Sequence, residues 1–189
     1  GTSLVGNATI EAAKALKEDL KTKTLAELAG RTYEGRWVCD WTTAPGAPGK
    51  VVTHYSYGYA TQLVILDENG KIEKVVAAHD AGRVMNPVLF EGQMQGSIHM
   101  GLGYALSEDL PMEGGFLKTD RLRELGMLPA AATPPIEVIG VEVPDPYGPY
   151  GAKGVGEIGL VPTAGAVANA YAAYDGIRRY RLPLFPEKK

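Results

Sequence analysis

Between residues 151 and 159 the chain reads Gly151-Ala152-Lys153-Gly154-Val155-Gly156-Glu157-Ile158-Gly159. One ammonium and one carboxylate sit on a backbone left bare by glycines. Two chemistries are open to such a stretch. Its N–H groups can turn toward an anion at a helix entry, or a carboxylate fixed on it can serve as a general base. The spacing excludes the simplest phosphate loops. A P-loop needs Ser or Thr directly after its Lys, and Gly154 stands there. Gly154-x-Gly156-x-x-Gly159 has the spacing of a dinucleotide fingerprint. However, the stretch before it, PDPYGPYG, is no strand, and no acidic residue follows beside a second strand. The plainer reading is a flexible loop that runs into a helix at 162–175.

The other candidates are weaker. His79-Asp80 follows a strand pattern and could be half of a metal site or a catalytic pair. Yet His54, His79 and His99 match no standard ligand spacing. Asp80 is better read as capping a turn, with Asn86-Pro87 starting the next segment. Gln93, Gln95, Ser97 and His99 read as the polar face of a Gly-rich helix. Cys39 reads as a buried, inert thiol.

Several elements must position these groups. Residues 7–29 have helical periodicity, with Asn7 as cap, a break at 22–24 and Gly30 as stop. Residues 34–41 alternate Trp37, Cys39 and Trp41 on one face, a strand pattern. Strands are predicted over 55–66 and 71–79, joined at Asn69-Gly70, and over 136–143. Residues 91–110 read as a helix despite Gly92, Gly96, Gly101 and Gly103, each of which costs about 1 kcal/mol relative to Ala. Such a helix needs a partner too close for side chains. Residues 162–175 form a second small-residue helix, with Pro162 first and Gly176 at the end. Residues 111–135 are irregular. Together these predict an α+β (mixed α/β) fold.

Composition narrows the function. The chain has 189 residues and a net charge of −3, from 19 basic and 22 acidic side chains. That balance argues against nucleic acid and against an anionic membrane as partners. A single cysteine excludes an intrachain disulfide, and an Fe–S or Cys-rich zinc site built from this chain alone. There is no signal peptide and no apolar run long enough to span a bilayer. The 24 glycines are almost twice the common fraction. The abrupt start GTSLVG, without Met, predicts an excised piece of a longer protein.

Three stretches in this order carry a resemblance: AHDAGRVMNPVLFEGQMQGSIHMGLGYALSEDL, LPAAATPPIEVIGVEVPDPYGPYGAKGVGEIG and PTAGAVANAYAAYDGIRRYRLPL. The chain resembles the C-terminal part of the molybdenum-binding large subunit of the xanthine dehydrogenase/aldehyde oxidase family, most of all its bacterial, selenium-dependent-type xanthine dehydrogenases. The likeness runs from about Gly6 to about Leu184, which makes 1–189 one partial domain. It implies hydroxylation of a purine such as xanthine or hypoxanthine with water as oxygen source. Within the family the alternative is an aldehyde or another N-heterocycle; outside it, a non-catalytic binding or assembly domain.

The resemblance also implies residue roles. Glu157, from the family's Lys-x-Val-Gly-Glu, would be the general base, desolvated beside Val155 and Ile158. Gln93, from Gly-Gln-x-x-Gly, would contact the pterin. Gly92, Gly96, Lys153, Gly154, Val155 and Gly156 would line the cofactor, and Thr2 and Ser3 would be the stub of a phosphate-holding segment. The implied cofactor is molybdenum-molybdopterin, plain or as the cytosine dinucleotide. Fe–S clusters and FAD would lie on other domains or subunits. Implied partners are the missing N-terminal part of the subunit and those redox modules, in a cytoplasmic enzyme that could form homo-oligomers. The family's upstream active-site segments are absent here, and 116–129 lacks the tyrosine expected in that loop. Alone, the chain should be inactive, expose an apolar Gly-rich face and self-associate.

Overall fold

The computed structural model describes residues 1–54 and 56–185, which fall into two compact units. The first gathers Gly1–Gly58, Ala81–Met85 and Glu142–Gly154; the second gathers Tyr59–Asp80, Asn86–Val141 and the chain from Val155 onward.

The first unit is built on helix α1, Thr2–Asp19. It begins before the predicted start, and Asn7 lies inside it rather than capping it. The Asn7 amide instead donates to Tyr147 O at 2.7 Å. The predicted continuation to residue 29 does not form: residues 20–30 are mostly turns, and Gly30 has φ +82°. The reason lies at Asp19, which receives Tyr33 Oη at 2.7 Å, Lys23 Nζ at 3.0 Å and Arg31 Nη1 at 2.5 Å. These contacts fold the chain back across the end of the helix.

Residues 34–41, predicted as a strand, have no ladder partner among the described residues. Their burial nevertheless alternates as the pattern demands, with Trp37, Cys39 and Trp41 half-buried and Val38 and Asp40 exposed. The segment runs extended against a helix, not a sheet. A Cβ at Gly35 would stand 1.8 Å from Ala8 O of α1, an approach only glycine permits. Cys39 is therefore half-buried in an extended loop.

The second unit holds the sheet. Strand β1, Ala60–Leu66, is shorter than predicted, and Tyr55 at the predicted start lies outside the described residues. Strand β2, Ile72–Asp80, pairs antiparallel with β1 from Ala60↔His79 to Leu66↔Ile72. Their connection contains the predicted Asn69-Gly70, and Asp67 Oδ1 accepts from Asn69 N and Lys71 N at 2.9 and 2.8 Å. Helix α2, Pro87–Leu106, starts earlier than predicted: Asn86 is its N-cap, accepting from Leu89 N, and Pro87 opens its first turn. A short hairpin, β3 (Met112–Glu113) and β4 (Phe116–Leu117), follows. Strand β5, Ile136–Val141, runs parallel to β2, giving the order β1-β2-β5. Helix α3 is Thr163–Asp175; Pro162 stands at its N-cap position rather than as the predicted first residue, and Gly176 ends it at φ +75°.

Period-2 alternation on the strands decides the core. Val64 from β1 and Val75 and Ala77 from β2 meet Ile98, Leu102 and Ala105 of α2 and Val167 of α3. His79 continues the β2 stripe and is fully buried. Strands and helices thus share one core, the α+β class the sequence predicts.

Candidate functional site

Residues 155–160 of the second unit form a loop held at two carbonyls, with bare backbone beside it. Two main-chain carbonyls bracket Glu157. Gly156 O accepts Gln93 Nε2 of α2 at 2.7 Å and lies 3.3 Å from Ser97 Oγ. The single Ser97 hydroxyl proton has a shorter acceptor in Gln93 O at 2.8 Å, one helical turn back. Gly159 O accepts Gln62 Nε2 of β1 at 2.7 Å and Thr163 Oγ1 of α3 at 3.0 Å. Leu160 N closes a turn onto Glu157 O at 3.2 Å. Gly159 itself is wedged in place: a Cβ there would stand 2.7 Å from Ser97 Cβ and 3.3 Å from Met94 O. Three elements therefore grip the loop on both sides of its carboxylate.

Glu157 itself is exposed. The desolvation predicted from Val155 and Ile158 is not met within this chain. Both neighbours are only half-buried, and the described residues leave Glu157 exposed.

The glycines around Glu157 divide by what surrounds them. Added Cβ atoms at Gly92, Gly96 and Gly156 would meet nothing within 4 Å, and none of the three has a positive φ. Neither packing nor backbone conformation inside the chain requires glycine there. These positions make sense if something outside the chain lies close to the backbone. Between Gly92 and Gly96, Gln93 spends one N–H on Gly156 O. Its other N–H and its carbonyl oxygen make no hydrogen bond among the described residues. A bare backbone edge with an amide offering one donor and one acceptor fits a flat, polar cofactor such as a pterin.

The remaining predicted residues fall elsewhere. Gly154 is exposed, also with open space around a Cβ, and Val155 is half-buried. Lys153 belongs to the first unit and is only 9% exposed; its Nζ donates to Tyr57 O at 2.7 Å, and its N–H to Ala81 O at 3.0 Å. Asp145 sets the turn before it, accepting from Tyr147 N at 2.7 Å and Ser56 Oγ at 2.6 Å. Ser3 is buried, and Thr2 lines a largely apolar groove of about 590 Å³ with Val5, Ile10 and Met85. The helical polar face divides likewise: Gln93 and Ser97 turn to the loop, Gln95 pairs with Glu91 at 3.1 Å, and His99 with Thr133 at 2.8 Å.

Sequence reading missed Gln62, Thr163 and His79 as supports of this loop. No local signal marks them, because Gln62 reaches a carbonyl 97 positions away. Among the described residues no helix is long and apolar enough to cross a membrane.

Comparison with known proteins identifies the family. Residues 23–134, more than half of the chain, match the molybdopterin cofactor-binding domain family. The chain is 34% identical over 119 residues to the xanthine dehydrogenase molybdenum-binding subunit of Escherichia coli, covering 62% of this chain and 16% of that protein. It is 32% identical over 167 residues to the aldehyde oxidoreductase of Megalodesulfovibrio gigas, covering 83% of this chain and 17% of that protein. The crystal structure of the aldehyde oxidoreductase from Desulfovibrio desulfuricans superposes with a TM-score of 0.74 at 30% identity, over 97% of this chain and 21% of that one. The chain thus spans about a sixth to a fifth of the length of these relatives.

Proposed function

The chain belongs to the molybdopterin cofactor-binding domain family, and on that premise we propose that it is the C-terminal part of a molybdenum hydroxylase large subunit with Glu157 as general base. The observation that carries this reading is the conjunction at α2 and the loop. Glycines with no internal reason to be glycine flank Gln93, and the loop they face carries one exposed carboxylate between two anchored carbonyls. When bound, the molybdenum cofactor supplies the two-electron oxidant, with water as the oxygen source. Gln93 offers the pterin its free amide groups, and Gly92, Gly96 and Gly156 let the cofactor approach the backbone. Val155 completes the lining on the second unit. In the first unit, Lys153 is held through Tyr57 O just before the loop begins. Glu157 takes the proton released as water is activated. The covering that desolvates it comes from the rest of the subunit or from the cofactor.

The proposed substrate is a purine such as xanthine, to which the sequence motifs point. The broader coverage of the aldehyde oxidoreductases favours an aldehyde as the second reading. A panel of purines, N-heterocycles and aldehydes on the full-length enzyme separates the two. Fe–S and flavin modules are the proposed electron-transfer partners, in a cytoplasmic enzyme. In the full-length enzyme, Glu157→Gln should lower kcat by about 10²–10⁴ while leaving molybdenum and pterin content unchanged. Normal turnover in that variant would overturn the base assignment.

A further inference from the structure

The core-facing stripe of the sheet changes character at one end. On β1, Val64 is followed on the same face by Gln62; on β2, Val75 and Ala77 are followed by His79. Gln62 Nε2 lies 2.7 Å from Gly159 O and 3.0 Å from His79 Nε2. A main-chain carbonyl only accepts, so the amide must turn its nitrogen to Gly159 O. The second hydrogen of that nitrogen then points to His79 Nε2, which must be the acceptor. His79 is therefore neutral, with its proton on Nδ1, and its burial lowers its pKa in the same direction.

This arrangement has a cost. Gln62 Oε1 and His79 Nδ1 are buried with no hydrogen-bond partner among the described residues, a penalty that an apolar pair in the same place would not carry. An ordinary core has no use for such a pair. The one thing it does that apolar residues could not is hold a carbonyl two residues from Glu157.

We propose that Gln62, oriented by His79, is a positioning residue for Glu157. Together with Thr163 on Gly159 O and Gln93 on Gly156 O, it fixes both carbonyls that bracket the carboxylate and so restricts where that carboxylate can stand. The catalytic consequence rests on the reading of Glu157 as base; the grip on the loop does not.

The test uses the full-length enzyme with Gln62→Met, which keeps the length of the side chain and removes the donor. Hydrogen exchange of the amides at 155–160, followed by mass spectrometry, should accelerate about tenfold while α1 is unchanged. The value of kcat should fall roughly 10- to 100-fold, with KM and cofactor content unchanged and the acidic limb of the kcat pH profile displaced. If Gln62→Met does not accumulate, His79→Phe removes the acceptor at similar volume and should move the same readouts in the same direction. Unchanged exchange over 155–160 overturns the proposal. Faster exchange with unchanged kcat and pH profile overturns the positioning of Glu157 and leaves its role as base intact. Full turnover in Glu157→Gln beside accelerated exchange in Gln62→Met overturns the base and leaves only a loop anchor.

Discussion

The two halves of α2 use the same residue for opposite ends. In the C-terminal half, a Cβ at Gly101 would stand 2.6 Å from Thr163 Cβ, and one at Gly103 would stand 2.3 Å from Glu108 Oε1. Leu102 and Ala105 beside them are fully buried. Here glycine lets α2 pack. In the N-terminal half, Gly92 and Gly96 face open space, and Val88 and Leu89 are 78% and 70% exposed. Here packing within the chain explains nothing. A glycine count cannot separate these roles; what would meet the missing side chain can. The loop repeats the contrast, with Gly159 wedged against Ser97 and Gly156 open.

Substitution with alanine is the direct way to break the comparison. The largest effects should come from the packed positions. Gly101→Ala drives a methyl into Thr163, which is itself fully buried, and Gly159→Ala drives one into Ser97. Each should lower stability by about 1–3 kcal/mol in urea denaturation. Stability at the wild-type level in both would mean that the packed glycines are not needed. Gly103→Ala is milder, since the neighbour is the mobile end of the Glu108 side chain.

The open positions should respond with the other sign. Gly96→Ala should raise the stability of the chain by up to about 1 kcal/mol, because it gains helix propensity and meets nothing. In the full-length enzyme the same change should reduce bound molybdenum and pterin by metal analysis and pterin fluorescence. Full cofactor content in Gly96→Ala would remove the cofactor from that face.

The smallest effect is a pH dependence at the buried end of the stripe. Burial lowers the His79 pKa below its unfolded value of about 6.5. The unfolded state thus binds the proton more readily, so stability is full above about pH 6.5 and declines as pH falls from there toward the lower folded value. Urea midpoints between pH 7.5 and 5 should show this decline, and it should flatten in His79→Phe. An unaltered slope in that variant assigns the decline to other groups.

Much of the second unit was legible in the sequence. The β-rich runs on either side of Asn69-Gly70 marked β1 and β2, 136–143 marked β5, and Gly176 marked the end of α3, while α2 begins four residues before the helix read at 91. These signals are local, and local chemistry decides them. The 34–41 stretch shows where locality ends. Its alternation of burial was right and its strand was wrong, because whether an extended segment finds a ladder or a helix depends on residues far away. The site follows the same rule. Glu157 stood out by its glycine neighbours and Gln93 only through the family resemblance, whereas Gln62 and Thr163 act on a main-chain carbonyl and leave no trace in spacing.

The two units are also woven through one another along the chain. Each is assembled from three separate stretches, and the loop of Glu157 begins where the chain leaves the first unit at Gly154 for the last time. No single proteolytic nick can release either unit whole, and no single gene truncation can delete one and spare the other. For the same reason a library that recombines this chain with a relative at one breakpoint will always mix the parts of at least one unit, unless the breakpoint falls near an end.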